Sequence, residues 1–187
     1  MVPYDLYLYV HIAAAIIWVG SGFLLHILAF RAERANDAAG QMRVLRDMGA
    51  LGNVLFVPAS LVALVFGLLM VIDGPWSFSD LWIILGLAGY AATFCIGMFI
   101  LKPRGEAIGA MIQRDGGVTT EAVAKGRQLA TIGRIEAVIL FLVVAVMVLK
   151  PAIDDVGILA ALAAVLVGGT AFFIARARSA GLAPADA

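Results

Sequence analysis

The chain has 187 residues, 63% of them hydrophobic and only 14% charged, with a mean hydropathy of +1.02. Soluble domains carry about 45–50% apolar and about 25% charged residues, so a soluble fold is excluded and an all-α, multi-pass membrane protein is expected. The formal net charge is zero and there is one cysteine, Cys95, which excludes an internal disulfide and gives no basis for a nucleic-acid partner.

The first apolar run, Leu6 to Phe30, holds no fixed charge and at about 1.5 Å per residue outspans a hydrocarbon core of about 30 Å. It lacks a basic segment ahead of it and exceeds a signal-peptide core, so this helix is expected to remain in the mature protein. It contains both histidines of the chain. Fifteen residues at about 100° each bring His11 and His26 within about 60° of one face but about 22 Å apart along the axis, so they cannot share a metal. Ala15, Trp18, Gly22 and Ala29 lie near the same line. This stripe of small residues admits a close neighbour, and Trp18, too deep to anchor at the interface, must meet protein or cofactor.

A basic segment follows, RAERANDAAGQMRVLRDMGALG, read as a helical extension and loop interrupted at Gly40 and Gly49. The second span runs from about Asn53 to Ile72, with Pro58 predicting a kink. A turn at Asp73-Gly74-Pro75 and the interfacial Trp76 lead to the third span, Leu81 to Leu101, capped by Ser79 or Asp80. Gly89, Thr93 and Gly97 form a small-residue ridge in it, expected to pack within the chain or to form a homodimer seam. Lys102 to Arg134 reads as a polar connection containing an amphipathic helix, Thr120 to Leu129, capped by Thr119 or Thr120. The fourth span occupies residues 130–149, the fifth Val156 to Ala175, and Ser179 to Ala187 reads as a disordered tail. Residues 1–178 thus form one transmembrane domain of five helices.

With five spans, twelve of the 13 Lys and Arg residues fall on one side and only Lys150 on the other. The positive-inside rule then predicts an N-terminus outside and a C-terminus in the cytoplasm of a bacterial inner membrane, with His11 in the outer leaflet and His26 in the inner one.

Histidine within lipid is costly, and neutral imidazole is a haem or metal ligand. Two histidines about four turns apart on one helix resemble the arrangement in b-type membrane cytochromes, where they serve two stacked haems. The chain offers no third histidine, so a second axial ligand would be another side chain, water, a partner subunit, or the same histidine of a second protomer. Met70, Met147 and Lys150 stand at the outer level, Met98 and Met48 nearer the inner level. Arg134 and Glu136, near the basic end of the fourth span, read either as an internal pair or as functional groups. In the functional reading Arg134 with Arg31 or Arg104 holds propionates, and Glu136 passes protons. Copper is the rival cofactor, but the seven methionines are scattered. No nucleotide-binding loop or zinc-protease helix is present.

The run HIAAAIIWVGSG, His11 to Gly22, is similar to the first helix of a loose group of bacterial membrane families: the CopD copper-resistance proteins, the HemJ protoporphyrinogen oxidases and a domain of unknown function numbered 2269. The ending MVLKP, Met147 to Pro151, resembles the last of these. The resemblance implies a four-helix core with one helix added, and from the HemJ-like proteins a b-haem ligand at His11. The lysine those proteins use near the start of the third helix is missing from SFSDLWII, which counts against porphyrinogen oxidation.

The sequence therefore predicts a b-haem-binding redox protein, with His11 and His26 as ligands of two haems, Trp18 and Gly22 lining the haem-facing stripe, and Arg31 and Arg134 at the propionates. Electrons would pass across the membrane or to a quinone or partner. The alternatives are a CopD-like copper-handling protein, a cofactor-free subunit of a larger respiratory complex, and a HemJ-like oxidase.

Overall fold

The computed structural model describes residues 2–179 and is helical throughout, with five helices long and apolar enough to cross a membrane. Helix α1 (Val2–Arg34) is followed by α2 (Ala38–Leu51), a π-helical segment Gly52–Phe56 and α3 (Val57–Asp73), which form one continuous rod. The next rod comprises α4 (Leu81–Cys95), a second π-helical segment Ile96–Leu101 and α5 (Lys102–Arg114). Then come α6 (Thr120–Leu149) and α7 (Val156–Ser179). Residues 180–187, and with them all of the expected tail but Ser179, lie outside the described residues.

The expected apolar spans lie inside these helices, but the breaks around them do not. The second and third rods have 36 and 34 residues, about 50 Å at 1.5 Å per residue, so each projects well beyond the hydrocarbon at the basic end. The expected interruption at Gly40 is instead part of a cap. Gly40 N–H donates to the Asp37 carboxylate at 2.8 Å, and a Cβ at Gly40 would collide with that carboxylate. Gly49 lies within α2 without ending it. Likewise the amphipathic segment Thr120 to Leu129 and the fourth span are one helix, capped by Thr119 Oγ1 accepting from Ala122 N–H at 3.2 Å. At the start of α4 the Asp80 carboxylate accepts from Ser77 N–H at 3.0 Å and so secures the turn rather than the helix's first amides.

Continuity through the glycines is repaid by packing. The projecting halves of α2, α5 and α6 bury Met42, Ile108, Ala122 and Leu129 against one another, with Leu45, Leu101, Met111 and Ile112 around them. This small core sits outside the apolar spans and roofs the basic end of the bundle.

Deeper in, α1 packs on α3 and α4 on α6. Gly86 and Gly89 of α4 receive Met147 and Val143 of α6, and Thr93 on the same ridge is 1% exposed. The Gly89-Thr93-Gly97 ridge is thus an intramolecular seam, not a free homodimer face. Helix α7 lies chiefly on α6, Gly169 against Val138, and has no buried residue.

At the opposite end Lys150 closes α6 in the left-handed conformation (φ 45°). Its ammonium lies 3.9 Å from the Trp76 ring centroid and 5.3 Å from that of Trp82, while Trp76 Nε1 donates to Tyr4 Oη at 3.3 Å. The expected interfacial tryptophan therefore ties the start of α1 to the α3–α4 and α6–α7 connections.

Candidate functional site

The two histidines, although on one helix, face different neighbours. His11 Nδ1 lies 2.6 Å from the Ala63 carbonyl of α3, and a Cβ at Gly67 would stand 3.1 Å from the ring. Glycine at 67 is what lets the imidazole reach a carbonyl one turn away. A hydrogen bond to a carbonyl requires the proton on Nδ1, leaving Nε2 as the lone-pair nitrogen.

His26 shows the same chemistry with a local partner, Nδ1 donating to Gly22 O at 2.8 Å within α1. Its Nε2 points at α6. A Cβ at Gly133 would lie 3.0 Å from Nε2 and 3.7 and 4.0 Å from the flanking ring carbons, nearly in line with the nitrogen's outward lone pair.

His26 borders a cavity of about 820 Å³ that runs from Trp18, Ser60 and Thr93 in the apolar half to Arg43, Arg46 and Lys102 at the basic end. That volume lies within the range of about 300–1,000 Å³ typical of small-molecule sites. Trp18, Gly22 and Arg134, all expected at the site, border it too; His11 and Arg31 do not. Trp18 meets protein as expected, edge-on to Tyr90 with centroids 5.7 Å apart.

Arg134 and Glu136 do not pair with each other. The Arg134 guanidinium, 16% exposed, binds the Glu33 carboxylate of α1, a partner the sequence reading missed. Glu136 faces the cavity beside Gly97, where a Cβ would stand 3.7 Å from Oε1, and has no ion pair or hydrogen bond among the described residues.

Two further features escaped sequence reading. Each π-helical segment closes by a bond from the residue before a proline to a glycine five back: Val57 N–H to Gly52 O ahead of Pro58, and Lys102 N–H to Gly97 O ahead of Pro103. Proline has no N–H to continue the α pattern, and the wider turn takes up the mismatch. Both segments line the cavity, and Lys102 Nζ donates to Asn53 Oδ1 at 3.1 Å across it. The repeated spacing Gly-x5-Pro was the available signal. Secondly, Gln41 Oε1 and Arg127 Nε are buried polar atoms without a partner on residues lining the same cavity.

A bundle of membrane-length helices around a chambered, ionisable interior is a polytopic membrane protein with a ligand-sized site. The chain belongs to the family described as predicted integral membrane protein (DUF2269), whose model matches residues 5–151. Helix α7 falls outside the matched part. No curated protein and no solved structure matches the chain.

Proposed function

We propose that the protein binds one b-haem per chain in the cavity beside His26 and serves as a membrane redox protein, passing electrons to a quinone or a partner subunit. The observation that carries this reading is the cavity: apolar and aromatic at one end, cationic at the other, with an imidazole between. That distribution matches an apolar ring bearing carboxylates. Bound haem would supply reversible one-electron iron chemistry.

The chain's own residues suit this role in definable ways. The Gly22 carbonyl fixes the tautomer and rotation of His26, as carbonyl partners do for metal-binding histidines, and leaves Nε2 free to donate its lone pair. Gly133 puts only backbone ahead of Nε2, and α1 and α6 must part there to seat a ligand on that nitrogen. Arg127, whose buried Nε has no partner, is the guanidinium left for a ligand's carboxylates, Arg134 being held by Glu33. Met98 and Met48 border the cavity as candidate thioether contacts. His11, engaged with α3, drops from the site, so the reading becomes one haem rather than two.

The copper alternative needs a gathered donor set. Among the described residues no three of His, Cys, Asp and Glu come together, which leaves copper His26 and the cavity methionines as its soft donors. The Gly89-Thr93-Gly97 ridge, the docking surface a cofactor-free subunit of a larger complex would use, is already covered by α6.

The test is a haemin titration of detergent-purified protein with reduced and oxidised spectra and a haem count. One haem per chain is expected, lost in His26→Ala and kept in His11→Ala. No Soret change in the wild type, or loss in His11→Ala alone, would overturn the proposal.

A further inference from the structure

Glu136 has no role in the reading above. It projects from the membrane part of α6 into the cavity, and the arginine two residues before it is turned away to Glu33. Of the elements around the cavity, α1 contributes His26 and Glu33, α2 Arg43 and Arg46, α5 Lys102 and Glu106, and α6 Arg127 and Arg134. Among the described residues none of these pairs with Glu136. Arg43 and Arg46 are held by Asp37 and Asp47, and Lys102 by Asn53.

An ionised carboxylate in such surroundings is costly, and an anionic occupant would add like-charge repulsion. A proton on the carboxylate removes both costs.

We propose that Glu136 is a proton-uptake site coupled to occupancy of the cavity: it takes one proton as an anionic, apolar-bodied ligand enters and gives it back when the ligand leaves. Hydronium protonates the carboxylate to a carboxylic acid and leaves water, and no bond of the ligand changes. Opposite Glu136, Gly97 contributes only backbone, leaving room for the acid's oxygens. The inference rests on the reading above only in requiring an anionic occupant.

Haemin and laurate, an anion without iron, are titrated in parallel into the wild type, Glu136→Gln, Glu136→Asp and His26→Ala between about pH 5.5 and 8.5. Binding linked to one proton weakens by up to about tenfold per pH unit as pH rises. The wild type should show this slope relative to Glu136→Gln, and Glu136→Asp and His26→Ala should retain it for laurate. Wild-type protein in weak buffer should take up protons on binding, approaching one per ligand toward about pH 8.5, a reading that needs no variant. Equal slopes in wild type and Glu136→Gln, or no proton uptake, overturn the inference and leave haem binding standing. Laurate binding with the slope but no haemin binding keeps the inference and removes the haem reading. Binding of neither probe removes both.

Discussion

At the scale of single residues, the two histidines show how one backbone carbonyl decides a role. His11 spends its Nδ1 proton across a helix interface, so it joins α1 to α3; His26 spends the same proton on its own helix, borders the cavity, and turns its outer nitrogen to Gly133 of α6. Replacing Gly67 by Ala inserts a methyl 3.1 Å from the His11 ring. Overpacking of this kind costs about 1–3 kcal/mol, to which the displaced hydrogen bond adds. Gly67→Ala should therefore lower the thermal midpoint in detergent, and His11→Ala combined with it should recover part of the loss. Lys150 poses the opposite question, because its left-handed backbone and its contact with Trp76 pull in different directions. The conformation costs a non-glycine residue about 1–2 kcal/mol and an exposed cation–π contact returns about 0.5–1 kcal/mol. Lys150→Gly should thus be neutral or slightly stabilising, while Lys150→Ala keeps the strain, loses the contact and melts earlier.

At the scale of elements, hydropathy made the spans legible, because an uncharged run of about 20 residues has few other uses. That the helical extensions run on unbroken into the spans was not legible. Gly40 and Gly49 look like breaks in a polar segment, but helix propensity at glycine costs only about 1 kcal/mol. Burial of Met42 against Ile108, Ala122 and Leu129 offsets it. The same limit hid the Arg134–Glu33 pair, whose members lie 101 residues apart, while the near neighbours Arg134 and Glu136 invited the wrong pairing. That Trp18, Gly22 and His26 border one cavity agrees with helical phase, whereas His11 and Arg31 do not border it, which depends on the neighbour opposite each. The π-helical segments carry their own prediction. Lys102 and Asn53 join them, so Asn53→Ala should speed amide hydrogen exchange in Gly52–Phe56 and Ile96–Leu101 while leaving the apolar halves of α3 and α4 unchanged.

At the scale of the whole molecule, the bundle is built by α1 to α6, and α7 is an outlier that packs chiefly on α6 beyond the family-matched residues. A chain ended after Asp155 should still insert and keep the cavity, as read by monodisperse purification and an unchanged response to haemin. The expected orientation is testable in the same preparation. Cysteines introduced at Ser77 and at Gln113, in a background with Cys95 replaced, should react with an impermeant maleimide from opposite sides, Ser77 from outside the intact cell.

The two π-helical turns also bear on how the sequence can change. Each holds one residue more than an α-helical turn would, so the halves of its rod are out of phase by about 100°. A substitution there alters one side chain, but deleting a residue between Gly97 and Pro103 would restore an ordinary helix and rotate all of α5. That rotation would carry Lys102 away from Asn53 and Ile108 out of its small core. These segments should therefore tolerate exchanges of letters far better than the loss of one, and relatives that keep the chamber should keep the spacing from glycine to proline.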